Sequence, residues 1–288
     1  MKESFPAISE LFPDLFHFPR PVIAGSNPLI MNASLLILGD VPMLPIVGGR
    51  EFPPVQDNEM KLKKYAAIGG HPVLEAIMKA DPKDYQKLLM TKSQDMPIWI
   101  GSVKFTDTLD YVLNVFDKTG SGNAVVEADD HEPTMLSLKD VVMLFEKDKL
   151  KTDARVFEVS SQKVSMPNDT TITSALKMMF SMNIRRVFVS GNRSDKLRFV
   201  SSRDIIGYLF SPQSLDLCRN HPESWLSEKL SNIPSSDAGL VSSNATLNEA
   251  SRLMGQESDA CLVSRETDRV ISRWDIVMKP WRLRMLHT

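Results

Sequence analysis

Cysteine is scarce. The 288-residue chain carries only Cys218 and Cys261, without the paired spacing of a disulfide framework or a zinc site. Two lone thiols suit a reducing compartment, so a soluble cytoplasmic protein is expected. Nowhere does an apolar run approach the roughly 20 residues that a membrane-spanning helix needs. The opening stretch, MKESFPAISELFPDLFHF, breaks its apolar residues with acids and prolines, unlike a secretory leader. Neither sign of charge is in excess: 34 Lys and Arg against 36 Asp and Glu leave a formal net charge of −2. That balance makes a general nucleic-acid surface unexpected. The histidines at 17, 71, 131, 221 and 287 lack metal-ligand spacing and read as surface or core residues. The run DKTGSGN, 117–123, lacks the Gly-Lys-Ser/Thr ending of a phosphate loop and reads as a turn. No nucleophile–base pair or carboxylate dyad stands out, and an enzyme is not expected.

What the chain does have is a repeat. In MPNDTTITSALKMMFSMNIRRVFVSGNRSDKLRFVSSRDIIGYLF, Ile172, Ala175, Leu176 and Met179 follow helical spacing. Val187-Phe188-Val189 reads as a strand, a turn follows, and a second strand ends at Ser201 before a closing helix. The hand-over is Ser201-x-x-Asp204, a helix N-cap with an acid in the first turn. The same order of parts recurs downstream, with Leu247, Ala250 and Leu253 on a helix and an ending at Ser272-x-x-Asp275. Upstream it ends at Ser137-x-x-Asp140. Asp140 and Asp204 lie 64 residues apart, and Asp204 and Asp275 lie 71 apart. A fainter copy precedes them in NPLIMNASLLILGDVPMLPIV and KYAAIGGHPVLEAI, where Gly69 and Pro72 hold the Ser and Asp places. The divisions are 1–18, an N-terminal extension, then repeats at 19–91, 92–150, 151–222 and 223–288. The charged run EKDKLKTD, near residues 147–153, should separate two pairs of repeats that each stay folded when cut apart.

The Asp-Thr-Thr helix start, the Ile-Arg-Arg turn and FVSSRDII resemble the cystathionine-β-synthase (CBS) domain. The likeness is strong in repeats 3 and 4, fair in repeat 2 and weak in repeat 1. It implies an α+β fold of four βαββα repeats, paired into two tandem modules and disc-like, similar to the gamma subunit of AMP-activated protein kinase. It also implies AMP, ADP or ATP as a regulatory ligand, with S-adenosylmethionine as a further option and no resident cofactor or metal. Carried over, Ser201 and Asp204 would hold ribose and phosphate, with Arg185, Arg186 and Arg203 neutralising the phosphate. Ala245 and Ala250 of the paired repeat would line the adenine side, and Thr170 and Ala175 join the nucleotide-binding set. Repeat 4 offers Ser272 and Asp275, with Asp259 and Ala260 where repeat 3 has its two arginines. Repeat 2 offers Ser137 and Asp140, with Gly122 and Asn123 at that turn and Lys139 before the acid. Thr134, Arg198 and Arg269 stand where the family usually has glycine.

A carboxylate at a helix start can accept ribose hydroxyls, and arginines beside it favour phosphate. The expectation is therefore a non-enzymatic regulator whose occupancy is transmitted to an unidentified effector protein. A ligand-free interaction scaffold is the alternative, and a nucleic-acid adaptor using the tail KPWRLRMLHT ranks third. Partners expected are an adenine nucleotide and that effector, no membrane, with the chain a monomer or a homodimer of discs. The Asp204 site should bind phosphorylated adenosine most tightly, and repeat 1 should supply no ribose carboxylate.

Overall fold

The computed structural model describes residues 5–17, 23–38, 43–47, 55–57, 60–62, 64–96, 98–190, 197–256, 261–264 and 268–287. Each repeat shows the same wiring. In repeat 3 the strand Ser165–Pro167 leads to the helix Ile172–Ser181, the strands Arg186–Ser190 and Arg198–Ser201, and the helix Ser202–Leu209. The first strand pairs parallel with the second, and the second antiparallel with the third. Ile172, Ala175, Leu176 and Met179 are all fully buried, as their spacing predicts. Repeat 2 repeats the pattern through Ile98–Lys104, Leu109–Thr119, Asn123–Ala128, His131–Ser137 and Leu138–Glu146. Repeat 4 does so through Gly239–Val241, Leu247–Gln256, Cys261–Ser264, Arg269–Ser272 and Arg273–Arg282. In repeat 1 a hairpin of Val55–Asp57 and Met60–Leu62 lies between the second and third strands.

The DKTGSGN run is the turn between helix and strand. Gly120 ends the Leu109–Thr119 helix in the left-handed region, at φ 62°. Gly122 also has φ 62°, and a Cβ there would meet Leu138 Cδ1 at 2.5 Å, so both conformation and packing call for glycine.

Sheets join the repeats in successive pairs. Repeats 1 and 2 share one six-stranded sheet, closed between them by antiparallel pairing of Lys64–Gly69 with Ile98–Lys104. Repeats 3 and 4 exchange edges. Ser236–Asp237 adds to the repeat 3 sheet through Arg198 and Phe199, while Ser161–Gln162 adds to the repeat 4 sheet through Arg269 and Val270.

A second exchange is written in backbone hydrogen bonds. Val156 and Phe157, ahead of the first strand of repeat 3, donate to the carbonyls of Ala245 and Ser243 in repeat 4. Leu230 and Ser231, ahead of the first strand of repeat 4, donate to Thr170 and Asn168 in repeat 3. Ser93 and Gln94 do the same to Asn27 and Gly25, and Ile8 and Ser9 to Asp107 and Phe105. In every case the segment before one repeat caps the first helix of its mate. Residues 5–11 are therefore the exchanged segment of repeat 1 rather than an appended extension. Ile8 is fully buried in the repeat 2 core for that reason.

The helices build cores in the other direction. One cluster merges repeats 2 and 4: Val112, Phe116, Val141 and Phe145 pack with Leu247, Ala250, Ile276 and Val277. The other merges repeats 1 and 3: Leu29, Leu74 and Ile77 pack with Ile172, Leu176, Ile205 and Ile206. Each core draws side chains from both sides of residues 147–153. Smaller clusters lie within each half, Met43, Ala67, Ile100, Val125 and Met135 in the first and Phe188 with Phe199 in the second. The two large cores are built across the halves, so the expectation that each folds alone does not match the packing. At the junction, Asp148 adopts φ 55° and accepts from Arg252 at 2.9 Å, and Leu150 is buried. The tail also packs on its own chain. Trp281 Nε1 donates to Asp110 at 2.8 Å, and Leu286–His287 pairs with Lys151–Thr152.

Candidate functional site

All three Ser-x-x-Asp steps form the same local device. Ser137 N and Oγ both donate to Asp140 Oδ2 at 2.7 Å. Ser201 N and Oγ donate to Asp204 Oδ2 at 2.8 and 2.7 Å, and Ser272 N and Oγ to Asp275 Oδ2 at 2.9 and 2.6 Å. One carboxylate oxygen thus closes a capping box while the strand's last residue turns into the helix. In repeat 1, Gly69 ends its strand and caps the helix Gly70–Lys79 at φ −142° with no side-chain cap. With Pro72 in the first turn, that step holds no carboxylate.

Around Asp204 the structure gathers cations. Arg186 stands directly opposite Ser201 in the antiparallel pair, so the two side chains leave the same face. Its guanidinium lies 5.9 Å from the Phe199 ring centroid, and its buried Nε has no hydrogen-bond partner. Arg185 accepts the Ser202 N–H with its carbonyl at 2.9 Å, fixing it at the start of the Asp204 helix. The Arg185 side chain keeps an exposed surface. Protein nonetheless crowds it, and desolvation, then the Arg186 charge, lowers its pKa from the ordinary arginine value. Its guanidinium stays protonated at any working pH.

His71 joins this cluster and was not singled out by sequence. It lies on the first turn of the repeat 1 helix, edge-on to Phe180 with ring centroids 4.6 Å apart, and its Nδ1 is buried without a partner. Burial lowers its pKa, the Arg185 charge lowers it further, and Glu75 offsets part of the shift. A signal was present: His71, Lys139, Arg203 and Trp274 share the place one residue before the acid position. With Pro72 in that acid position, the kinship was hidden. Two buried ring and guanidinium nitrogens without partners, close enough to Arg185 to feel its charge, give a local environment that favours an anion.

The other expected residues divide between the acids. Thr170 accepts from Leu230, and Ala175 is buried in the core containing Ile205, so both belong to the Asp204 side. Ala245 accepts from Val156, and Ala250 is fully buried in the repeat 2 and 4 core. Both therefore belong with Asp275 rather than across from Asp204, because the segment that caps their helix, 155–161, runs on to Asp275. Arg269 is not free to line a strand edge for ligand: its Nε donates to Ser160 Oγ at 2.7 Å and its terminal nitrogen to the Ser160 carbonyl. Lys139 is exposed beside buried Asp140, and Arg203 is half-buried. Trp274 packs against the repeat 2 and 4 core under Arg282, whose guanidinium is 5.6 Å from the ring centroid. Asp259 and Ala260 lie outside the described residues. Among the described residues, no three His, Cys, Asp or Glu side chains are placed to share a metal ion, and no helix is long and apolar enough to cross a membrane.

Comparison of the sequence with protein families and with curated proteins finds no match. Solved structures do match. Protein MJ1225 from Methanocaldococcus jannaschii, described as a candidate archaeal homolog of g-AMPK, aligns with 94% of this chain and 98% of its own at a TM-score of 0.73 and 11% identity. An uncharacterized conserved protein from Pyrococcus horikoshii covers 83% of this chain and 91% of its own, at 16% identity and a TM-score of 0.48. The CBS-domain containing protein ATU1752 from Agrobacterium tumefaciens covers 43% of this chain and 97% of its own, at 16% identity and a TM-score of 0.34. At such identities the likeness concerns fold. The chain has the architecture of four CBS repeats in two tandem modules.

Proposed function

We propose that this protein is a non-enzymatic regulator that binds a phosphorylated adenosine, AMP, ADP or ATP, in the cleft built on Asp204. The observation that carries this is the placement of Arg186 opposite Ser201 with its buried Nε unpartnered. Asp204 would accept ribose hydroxyls, while Arg185, Arg186 and His71 would meet the phosphate. Charge-assisted bonds of that kind are worth about 1.5–3 kcal/mol each. The same cations disfavour S-adenosylmethionine, whose sulfonium is itself positive. Binding would act by shifting the pose of repeats 1 and 3, whose helices meet at this cleft, and so change the affinity of an effector protein. Calorimetric titration of AMP and ATP into the protein and into Asp204→Ala tests it. Loss of binding in the variant supports the reading, and absence of binding in both leaves the scaffold alternative.

A further inference from the structure

The fourth repeat is wired differently from its siblings. Asp275 is only 5% exposed. Its Oδ2 serves the capping box, and its Oδ1 accepts from Ser161 Oγ at 2.9 Å and pairs with Lys279 Nζ at 2.8 Å. The same ammonium donates to Ser161 Oγ at 2.9 Å and to the Val159 carbonyl at 2.5 Å. Lys279 lies one helical turn after the acid. The residues at that offset in the other two capped repeats are Leu144, buried in the core, and Tyr208, whose hydroxyl donates to Glu228 at 2.9 Å. In the fourth repeat, therefore, a cation on the repeat's own helix pairs with its own cap carboxylate. Ser161 and Val159 belong to the exchanged segment ahead of repeat 3, so Lys279 ties that segment down onto the acid.

We infer that Lys279 closes the fourth site, its ammonium holding the Asp275 oxygen that ribose hydroxyls would otherwise reach. An ammonium is a stronger partner for a buried carboxylate than a neutral diol, because both partners are then charged and the tether is already in place. Further contacts to Val159 and Ser161 satisfy the ammonium, so ligand entry would have to break all three. This inference rests on the adenosine reading above and restricts it: the capacity of the second pair lies with Asp204, and the fourth repeat acts as a sealed structural partner. The cause is Lys279 itself, not a lost carboxylate, so the site is recoverable.

The test is calorimetric stoichiometry with adenosine and with AMP on the full chain. Lys279→Ala, which removes both charge and stem, should bind one further equivalent that the wild type does not. Lys279→Met, which keeps the stem, guards against a cavity effect in the alanine variant, and thermal unfolding of each checks its fold. The gained equivalent should vanish in Lys279→Ala combined with Asp275→Asn. The inference is overturned if neither Lys279 variant gains an equivalent, or if Asp275→Asn alone removes one from the wild type. Failure of the adenosine reading is separately visible, as AMP binding by the wild type that is absent or indifferent to Asp204→Ala.

Discussion

Arg186 and Ser201 face each other across an antiparallel strand pair, which sets a cation and the first residue of the Ser-x-x-Asp step on one face of the repeat 3 sheet. The pairing register, not sequence proximity, makes them neighbours. Phe199 lies two residues before Ser201 on that face and holds the guanidinium over its ring. The position of Arg186 is thus set by the fold itself.

Replacing Arg186 with Ala is expected to weaken AMP binding about tenfold or more, since one charge-assisted bond is worth roughly 1.5–3 kcal/mol. Adenosine, which has no phosphate, should bind the variant and the wild type alike. Equal losses for both ligands would show that Arg186 supports the fold of the cleft rather than the anion.

His71 makes the cleft sensitive to pH. Its folded pKa lies below the ordinary 6.5, first through burial and then through Arg185, with Glu75 opposing. The folded protein resists the proton that the unfolded chain accepts. Stability is therefore full above about pH 6.5 and falls as pH drops through the window between that value and the lower folded pKa. Chemical denaturation from pH 8 to 5 should show this decline, and His71→Gln should remove that part of it. Phosphate in the cleft would raise the His71 pKa, so AMP affinity should increase as pH falls through the same window. An identical profile in His71→Gln would contradict the assignment.

Residues 5–11 complete repeat 2 from outside it. Ile8→Ala is expected to cost about 2–5 kcal/mol, the range for a large aliphatic side chain lost from a packed core. Its urea midpoint should drop accordingly, whereas Glu10→Ala on the exposed side should change little. A midpoint unchanged by Ile8→Ala would make the segment an accessory.

Expressed separately, residues 1–150 and 151–288 should each lack a cooperative unfolding transition, because each exposes two half-cores. Mixing or co-expressing them should restore one transition. Two independently cooperative halves would mean that the helix-side cores contribute little.

Cys218 should be inert. It is buried, and burial pushes its thiol up to about 11 against only a weak offset from Gln86. Iodoacetamide at pH 8, read by peptide mapping, should label it only after unfolding. Prompt labelling of the native protein would place it nearer the surface.

Much of the repeat was legible because it is local. Ile172, Ala175, Leu176 and Met179 declare one buried helix face by spacing, and Ser201 with Asp204 declare a cap by chemistry. Glycine at 120 and 122 followed from turn geometry. His71 was hidden because its repeat lacks the acid that marks the step. Lys279 was passed over because an i+4 cation on a helix usually reads as a solvated pair. Ala245 and Ala250 were set beside the wrong acid, since which helix a preceding segment caps depends on the exchange between repeats.

By itself, the sequence determined the four units, their element order, the three capping boxes and the lack of a carboxylate in repeat 1. These depend on residues a few positions apart, where periodicity and cap chemistry act without help from the rest of the chain. Tertiary structure alone decided that repeats 1 and 3, and 2 and 4, share cores, that residues 5–11 complete repeat 2, and that His71 joins Arg185 while Lys279 meets Asp275 together with Ser161. Those relationships join segments more than 100 residues apart, on the scale of the 171 residues that separate Trp281 from Asp110. Burying apolar faces against one another selects which segments meet, and no local pattern encodes that choice.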